Sequence, residues 1–343
     1  MLAGSPILGA YQNVSTPGML LPGPWLVLLG PYTGLALVLL MAAYTDFKVW
    51  RSRWIYFCLS GFLILSHSFT SEITSLARQA IQPRKSPIPV LALSTGYSRE
   101  MTERRVDQWA ARDKALSQFV HRYNDQAPAQ LVVLPELARY ALGFEGLGFR
   151  NSIALSSNTV YGAVERGVLG YYNVLYQGAG SEPVYRKHTL VPLEETNWLL
   201  PGIPPNVVEI NSLKIGALIC LEGIFRSNTG SLSMKGAKFI IVPSDNRQYW
   251  AYNFQSLAIK IAAYSSGLPV IISNESGGSV IQNVDGEVVA QGKWNEPNAL
   301  FGRIEAGSPT LYARWGDWPW LLLILLAVWY LKIAKLRQNR SAS

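Results

Sequence analysis

Two long uncharged runs dominate the start of the hydrophobic pattern. Trp25 to Tyr44 holds about 20 residues without a charge and Trp54 to Ser71 about 18, and a helix needs about 17–25 such residues to cross a bilayer. Each run has tryptophan at its edge, where amphipathic rings favour the membrane interface. They are therefore predicted to be two transmembrane helices within residues 23–71, against the alternative of buried globular helices. A third run, Trp318 to Leu331, has only about 14 residues. It reaches spanning length over 318–336 if Lys332 and Lys335 extend their stems toward the headgroups. Residues 1–22 carry no Lys, Arg, Asp or Glu and are interrupted by Gly, Pro, Ser and Asn, so they read as neither a signal peptide nor a span.

Between the second and third runs the pattern alternates short apolar strands with helical periodicity. Strands are predicted at Val90 to Ser94, Gln130 to Leu134, Asn158 to Val164 and Tyr172 to Gly178. Val207 to Ile210 is expected to pair with Leu213 to Cys220 through Asn211-Ser212. Phe239 to Val242, ended by Pro243, and Pro269 to Ser273 complete the set, with a hairpin over Val280 to Ala290 turning at Asp285-Gly286. Glu100 to Tyr123 reads as an amphipathic helix with Met101, Val106, Trp109, Leu116 and Val120 on one face. Trp250 to Ser266 reads as another, with Gly267 in the C-cap position. Strands ending at Glu136, Cys220, Asp245 and Asn274 put polar residues along one sheet edge. The class is α/β, and the pattern leaves a doubly wound sheet and packed sheets equally open.

Charge orients the apolar runs. The chain of 343 residues has a formal net charge of +8, a balance that suits nucleic acid or an anionic membrane surface. Lys48, Arg51 and Arg53 lie between the first two runs, and Lys332, Lys335, Arg337 and Arg340 lie at the end of the third. Because the excess sits beside apolar segments, the membrane reading is preferred and no nucleic-acid partner is expected. The positive-inside rule places both clusters in the cytoplasm, so residues 1–22 and the large middle region face the extracytoplasmic side, with 337–343 as a cytoplasmic tail. This describes a multi-pass protein of the inner (plasma) membrane. No repeat, Walker, Rossmann or zinc spacing is present, so neither a metal nor an organic cofactor is implied. With only two cysteines, one of them Cys58 inside an apolar run, Cys220 is expected to be a free thiol.

Three residues suggest chemistry together, although each has an ordinary reading alone. Cys220 ends an apolar strand and could be a small core residue. Glu136, directly after Pro135, could be a solvated loop carboxylate, and Lys187 a surface lysine. As a set they supply a thiol, a base to accept its proton, and an ammonium that favours the thiolate and faces the oxyanion formed when a carbonyl is attacked. Acyl transfer then needs no histidine. His188 adjoins Lys187, but neighbouring strand residues point to opposite faces, and His67 and His121 read as structural.

The stretches Gln130-Leu-Val-Val-Leu-Pro-Glu136, Tyr185-Arg-Lys187-His-Thr-Leu-Val-Pro192 with Glu195, and Ile219-Cys220-Leu-Glu222 resemble the Glu-Lys-Cys triad of the nitrilase (carbon-nitrogen hydrolase) superfamily over about residues 86–310. Thr310-Leu-Tyr-Ala-Arg-Trp-Gly-Asp-Trp-Pro319, running into the third apolar run, is similar to the membrane-bound branch typified by apolipoprotein N-acyltransferase. The resemblance implies a nitrilase-type α-β-β-α sandwich, here extracytoplasmic and flanked by transmembrane helices. It implies Cys220 as the nucleophile that takes an acyl chain from a membrane phospholipid as a thioester, Glu136 as general base and Lys187 as oxyanion stabiliser. The acceptor would be the amine of a lipoprotein. Glu195 is expected to support or gate the pocket, Glu222 to hold Lys187 by charge pairing, and the Leu221 amide to add an oxyanion donor.

This sequence also departs from that branch. Leu221 stands where an aromatic residue is expected, Pro243-Ser-Asp-Asn-Arg247 replaces Ser-Asn-Asp followed by Trp, and Lys260-Ile-Ala-Ala263 replaces Arg-Ala-x-Glu. Only three candidate spans are present, fewer than in the acyltransferases. A nitrilase-type conjugal transfer protein (TraB-like) acting on another amine or amide, and a non-catalytic membrane-anchored interaction domain, are therefore alternatives. The sequence carries no signal of oligomeric state.

Overall fold

The computed structural model describes residues 86–94, 118, 120–123, 129–136, 155–180, 182–246, 248–316, 318, 325 and 329. The expected spans at Trp25 to Tyr44 and Trp54 to Ser71, the segment 1–22, the tail 337–343 and most of the helix Glu100 to Tyr123 lie outside these residues. So does most of the run Trp318 to Leu336. No helix among the described residues is long and apolar enough to cross a membrane.

Twelve strands form two six-stranded sheets. The first takes β1 (Ile88–Ser94), β2 (Leu131–Val133), β3 (Thr159–Arg166), β4 (Tyr171–Gln177), β5 (Tyr185–Arg186) and β12 (Asn298–Ile304), in the order β12-β1-β2-β3-β4-β5. The second takes β6 (Val207–Ile210), β7 (Leu213–Ala217), β8 (Phe239–Ser244), β9 (Val270–Asn274), β10 (Val280–Gln282) and β11 (Val288–Gln291), in the order β11-β10-β9-β8-β7-β6. Both have a parallel centre, β1-β2-β3 and β7-β8-β9, with antiparallel strands outside it.

Alternate side chains explain the layering. Val90 and Ala92 of β1, Leu131 and Val133 of β2, Ile215 and Ala217 of β7 and Ile241 of β8 meet in one core between the sheets. The intervening residues face outward and are also covered. Leu91, Leu93, Val132 and Leu134 pack with Val120 and Tyr123 of the helical residues 120–123. Ile240, Val242, Val270 and Ile272 pack under α1 (Arg226–Met234) and α2 (Tyr249–Ser266) through Leu232, Ala258, Ile259 and Ala263. Strands buried on both faces read as continuous apolar runs rather than alternating ones, as these do. The order of layers is helix, sheet, sheet, helix, which excludes a single doubly wound sheet.

The observed elements depart from the expected ones at three informative places. β7 ends at Ala217, and Cys220 instead opens a 3-10 turn, Cys220–Ile224. β8 runs through Pro243 to Ser244 instead of stopping before it. The Ile241 carbonyl accepts from Leu218 N–H at 3.1 Å, so Pro243 turns its nitrogen to the same side, where β7 has already left the sheet and no ladder bond is lost. β12 had no sequence signal, because Gly302 and Arg303 interrupt its apolar residues; its register beside β1 supplies the order. The hairpin at Asp285-Gly286 and the left-handed Gly267 cap of α2 form as expected.

The parallel centres place the ends of β2, β7, β8 and β9 along one edge. Ser94 Oγ donates to the Glu275 carbonyl at 3.2 Å, tying the sheets together there. Gly162 of β3 lets the chain after β2 come close. A Cβ at that position would lie 1.6 Å from the Glu136 carbonyl oxygen, while Gly162 N–H bonds Pro135 at 3.0 Å. Gly162→Ala is accordingly expected to lower stability by about 3 kcal/mol, the upper range for overpacking. Gly230→Ala, inside α1 with nothing within 4 Å of the added atom, should raise it by about 0.5–1 kcal/mol. Thermal melting of the two variants beside the parent checks the pair; equal shifts would show that the close approach at Glu136 carries no constraint.

Candidate active site

Glu136 stands in the turn just beyond β2, directly after Pro135, and is 3% exposed. Its Oε1 accepts from Lys187 Nζ at 2.8 Å and Asn173 Nδ2 at 2.7 Å, and its Oε2 accepts from Asp245 N–H at 2.9 Å. Lys187 directly follows β5. Its N–H donates to the Asn173 carbonyl at 2.8 Å and its carbonyl accepts from Gly202 N–H at 2.7 Å, which pins the backbone on both sides. The side chain turns inward with no exposed surface, and its ammonium meets Glu195 Oε1 at 2.7 Å as well as Glu136. Asn173 on β4 also donates to Glu195 Oε1, at 3.0 Å, while Glu195 Oε2 takes Val191 N–H at 2.8 Å. One ammonium and one carboxamide are thus shared between two carboxylates.

Cys220 opens the turn that follows β7 of the opposite sheet, with a backbone φ of 50°, in the left-handed region that non-glycine residues rarely enter. The strained residue turns the chain from β7 into the 3-10 turn and presents a free thiol that is partly buried. Gln255 of α2 donates its amide to the sulfur at 3.3 Å. Glu222, two residues on and fully buried, stitches this turn to the lysine segment. Its Oε1 accepts from Tyr185 OH at 2.8 Å, His188 N–H at 2.8 Å and Thr189 N–H at 2.9 Å, and its Oε2 from Ile219 N–H at 2.9 Å. Of the expected charge pairing of Glu222 with Lys187 there remains an attraction through space, while the ammonium's direct ion pairs go to Glu136 and Glu195. Glu222 holds the backbone around the lysine, and Glu195 is the carboxylate that supplements Glu136 on the ammonium.

Burial sets the proton affinities. Desolvation pushes the Glu136 carboxyl above its ordinary 4.5, against the opposing pull of Lys187. Desolvation works against the Lys187 charge, yet Glu136, the cysteine and Glu195 outweigh it and hold the ammonium well above its ordinary value. The Cys220 thiol is pushed up by burial and by Glu136, with Lys187 and Gln255 acting in the opposite direction. Glu222 is also raised by burial, despite its four donors.

The other expected residues fall in clear places. Leu221 is the second residue of the 3-10 turn, so its N–H is one that the turn cannot bond itself. His188 Nδ1 lies 2.8 Å from the Gly202 carbonyl, an engagement separate from the thiol. Asn173 and Gln255 were not singled out from the sequence, since neither has a local motif; Asn173 lies in an apolar strand and Gln255 on a helix face. Among the described residues no cluster of three His, Cys, Asp or Glu could hold a metal ion.

Glu222→Gln tests the carboxylate's structural part. The amide cannot accept from donors on both ends, so at least one buried N–H or O–H is left without a partner, at about 2 kcal/mol. Its melting temperature should fall by roughly 4–8 °C, and an unchanged melting curve would remove Glu222 from that part.

Comparison with known proteins gives the family and the fold. A family model described as carbon-nitrogen hydrolase matches residues 98–313. An apolipoprotein N-acyltransferase of Mycolicibacterium smegmatis is 28% identical over 159 residues, covering 46% of this chain and 27% of that relative. One of Bdellovibrio bacteriovorus is 27% identical over 122 residues, covering 34% and 22%. The chain thus matches about a quarter of the length of these relatives. Among solved structures, an amidase from Nesterenkonia sp. AN1, with an acetamide moiety covalently added at its active-site cysteine, superposes with a TM-score of 0.51 at 19% identity, covering 65% of this chain and 92% of that one. A carbon-nitrogen hydrolase from Helicobacter pylori G27 gives 0.51 at 18%, covering 68% and 94%. At these identities the likeness to the solved structures is one of fold. With the family model spanning well over half of the 343 residues, the chain belongs to the carbon-nitrogen hydrolase family.

Proposed function

We propose that the protein is a membrane-anchored acyltransferase that moves an acyl chain from a phospholipid to the amine of a lipoprotein through a thioester on Cys220. The observation that carries the reading is the buried Glu136–Lys187–Glu195 cluster, electrostatically coupled to the Cys220 thiol. The similarity to apolipoprotein N-acyltransferases supports the substrates, and the uncharged runs Trp25 to Tyr44 and Trp54 to Ser71 support the anchoring.

In this reading Glu136 takes the thiol proton as the sulfur attacks the ester carbonyl. Burial raises both groups, so the transfer accompanies attack rather than preceding it. The Lys187 ammonium and the Leu221 N–H face the developing oxyanion. When the tetrahedral adduct collapses, the C–O bond breaks and Glu136 returns the proton to the leaving glycerol oxygen. The acceptor amine then attacks the thioester, gives its proton through Glu136 to the departing sulfur and leaves as an amide. Glu195 keeps the ammonium in place throughout. A second reading, hydrolysis of an amide with water as acceptor, draws support from the amidase-like fold and from the changed positions Leu221, Asn246 and Ala263.

Intact-mass and peptide mass spectrometry of membrane-purified protein should reveal a hydroxylamine-labile fatty-acyl adduct on Cys220, absent from Cys220→Ala. A bare thiol in the presence of excess phospholipid would end the lipid-donor reading. Adduct formation also reports on Glu136. A base with a raised proton affinity loses activity as pH falls through its own raised value, so the acid limb should lie above the ordinary 4.5 and vanish in Glu136→Gln. Lys187, held well above 10.5, remains charged and contributes no alkaline limb near neutrality. An acid limb at or below 4.5 would exclude Glu136 as the base.

A further inference from the structure

The sulfur of Cys220 has a partner that the thiol, carboxylate and ammonium scheme does not use. Gln255 sits on α2, in the layer outside the second sheet, and is 6% exposed. Its Nε2 lies 3.3 Å from Sγ and its Oε1 3.8 Å. Among the described residues its carboxamide has no other hydrogen-bond partner. A buried carboxamide normally satisfies its two donors and its carbonyl with oxygen or nitrogen groups. Here it is spent on a neutral thiol, which is a weak acceptor and a weak donor. The same sulfur as a thiolate accepts a charge-assisted bond from that N–H and becomes a strong partner. The arrangement is therefore poorly satisfied before the reaction and well satisfied when negative charge develops on sulfur, the pattern expected of a group that acts on the reacting state.

We propose that Gln255 is a further catalytic residue, which donates its side-chain N–H to the Cys220 sulfur and stabilises it as the nucleophilic thiolate. This deepens the reading above, resting on Cys220 as nucleophile but on neither donor nor acceptor. The charged groups that act on the sulfur are Lys187, which favours the thiolate, and Glu136 and Glu195, which oppose it; Glu222 lies on the same turn but is committed to four donors. Two anions against one cation leave a deficit of positive potential, and a neutral donor from a separate element offsets it without adding a charge. Placement on an 18-residue helix packed through Ala258, Ile259 and Ala262 keeps this donor fixed through acylation and deacylation, when the sulfur must be attacking group and then leaving group.

The test is the rate of alkylation of Cys220 by iodoacetamide, followed from pH 6 to 10 in the membrane-purified full chain and resolved by peptide so that Cys58 does not contribute. Gln255→Met keeps the length and removes the donor; it should react about tenfold more slowly at neutral pH. Gln255→Glu keeps the shape but sets an anion beside the sulfur, and should be slower still. A role in packing alone makes the opposite forecast, with the near-isosteric glutamate close to wild type. A glutamate variant at wild-type rate, or a methionine variant unchanged, would overturn the assignment. If Gln255→Glu does not melt cooperatively, Gln255→His, which keeps an N–H within reach, decides. A rate within about threefold of wild type upholds the donor role, and one as slow as Met refutes it. Alkylation needs no substrate, so loss of the fatty-acyl adduct with this order of rates intact would remove acyl transfer and keep Gln255, and the converse result would do the reverse.

Discussion

The Lys187 ammonium, sealed from solvent between Glu136 and Glu195, is the interaction on which the site depends. An unpaired buried ammonium would lose its proton or open the fold, and removing one partner of a buried pair costs about 3–5 kcal/mol. Two anions on one cation leave an excess negative charge in the interior. That excess is spread over Asn173 Nδ2, Asp245 N–H and Val191 N–H, which come from β4, from the end of β8 and from the segment after β5. The cluster therefore forms only when both sheets are complete and in register. The close passage at Gly162 and the fit of Gly202, where a Cβ would lie 2.3 Å from the Arg186 carbonyl oxygen, both keep the backbone near enough.

A second buried carboxylate does different work under different surroundings. Glu222 has backbone N–H groups and a tyrosine hydroxyl about it rather than an ammonium within bonding distance. It joins the turn carrying Cys220 to the segment carrying Lys187, so two parts of the site that come from different sheets are set by one side chain. The left-handed conformation of Cys220 persists because the turn is held from both sides, by Glu222 on Ile219 N–H and by α2 packed over Gly223.

The surroundings of the cluster carry the departures from the acyltransferase branch. Where that branch is expected to have Arg-Ala-x-Glu, α2 has Lys260-Ile-Ala-Ala263, with Ala262 and Ala263 fully buried. The neighbouring helix is then held by hydroxyls: Thr229 Oγ1 meets Ser266 Oγ at 2.8 Å and Ser233 Oγ donates to the Ser266 carbonyl at 2.8 Å. Small residues and short hydrogen bonds pack that side of α2, with Lys260 half-buried beside them, while the cluster itself remains. The family fold and the buried cluster are consistent with transfer to an amine and with hydrolysis alike, because a shared fold does not fix the acceptor.

The sequence by itself determined most of the elements and the family. Apolar runs bounded by Pro135, Asn211-Ser212, Asp285-Gly286 and Gly267 were readable because burial on both faces and turn conformations are local demands. Glu136, Lys187 and Cys220 were readable as a set because each follows a strand and their chemical types complement one another. Tertiary structure decided the rest. It ended β7 at Ala217, carried β8 through Pro243 and added β12, since each depends on which strand lies alongside. It also assigned Glu195 rather than Glu222 to the ammonium, and brought Asn173 and Gln255 to groups 37 and 35 positions away in the chain. Hydrogen-bond partners at such separations are selected by the folding of two sheets and a helix onto one edge, a distance in space that residue order does not encode locally.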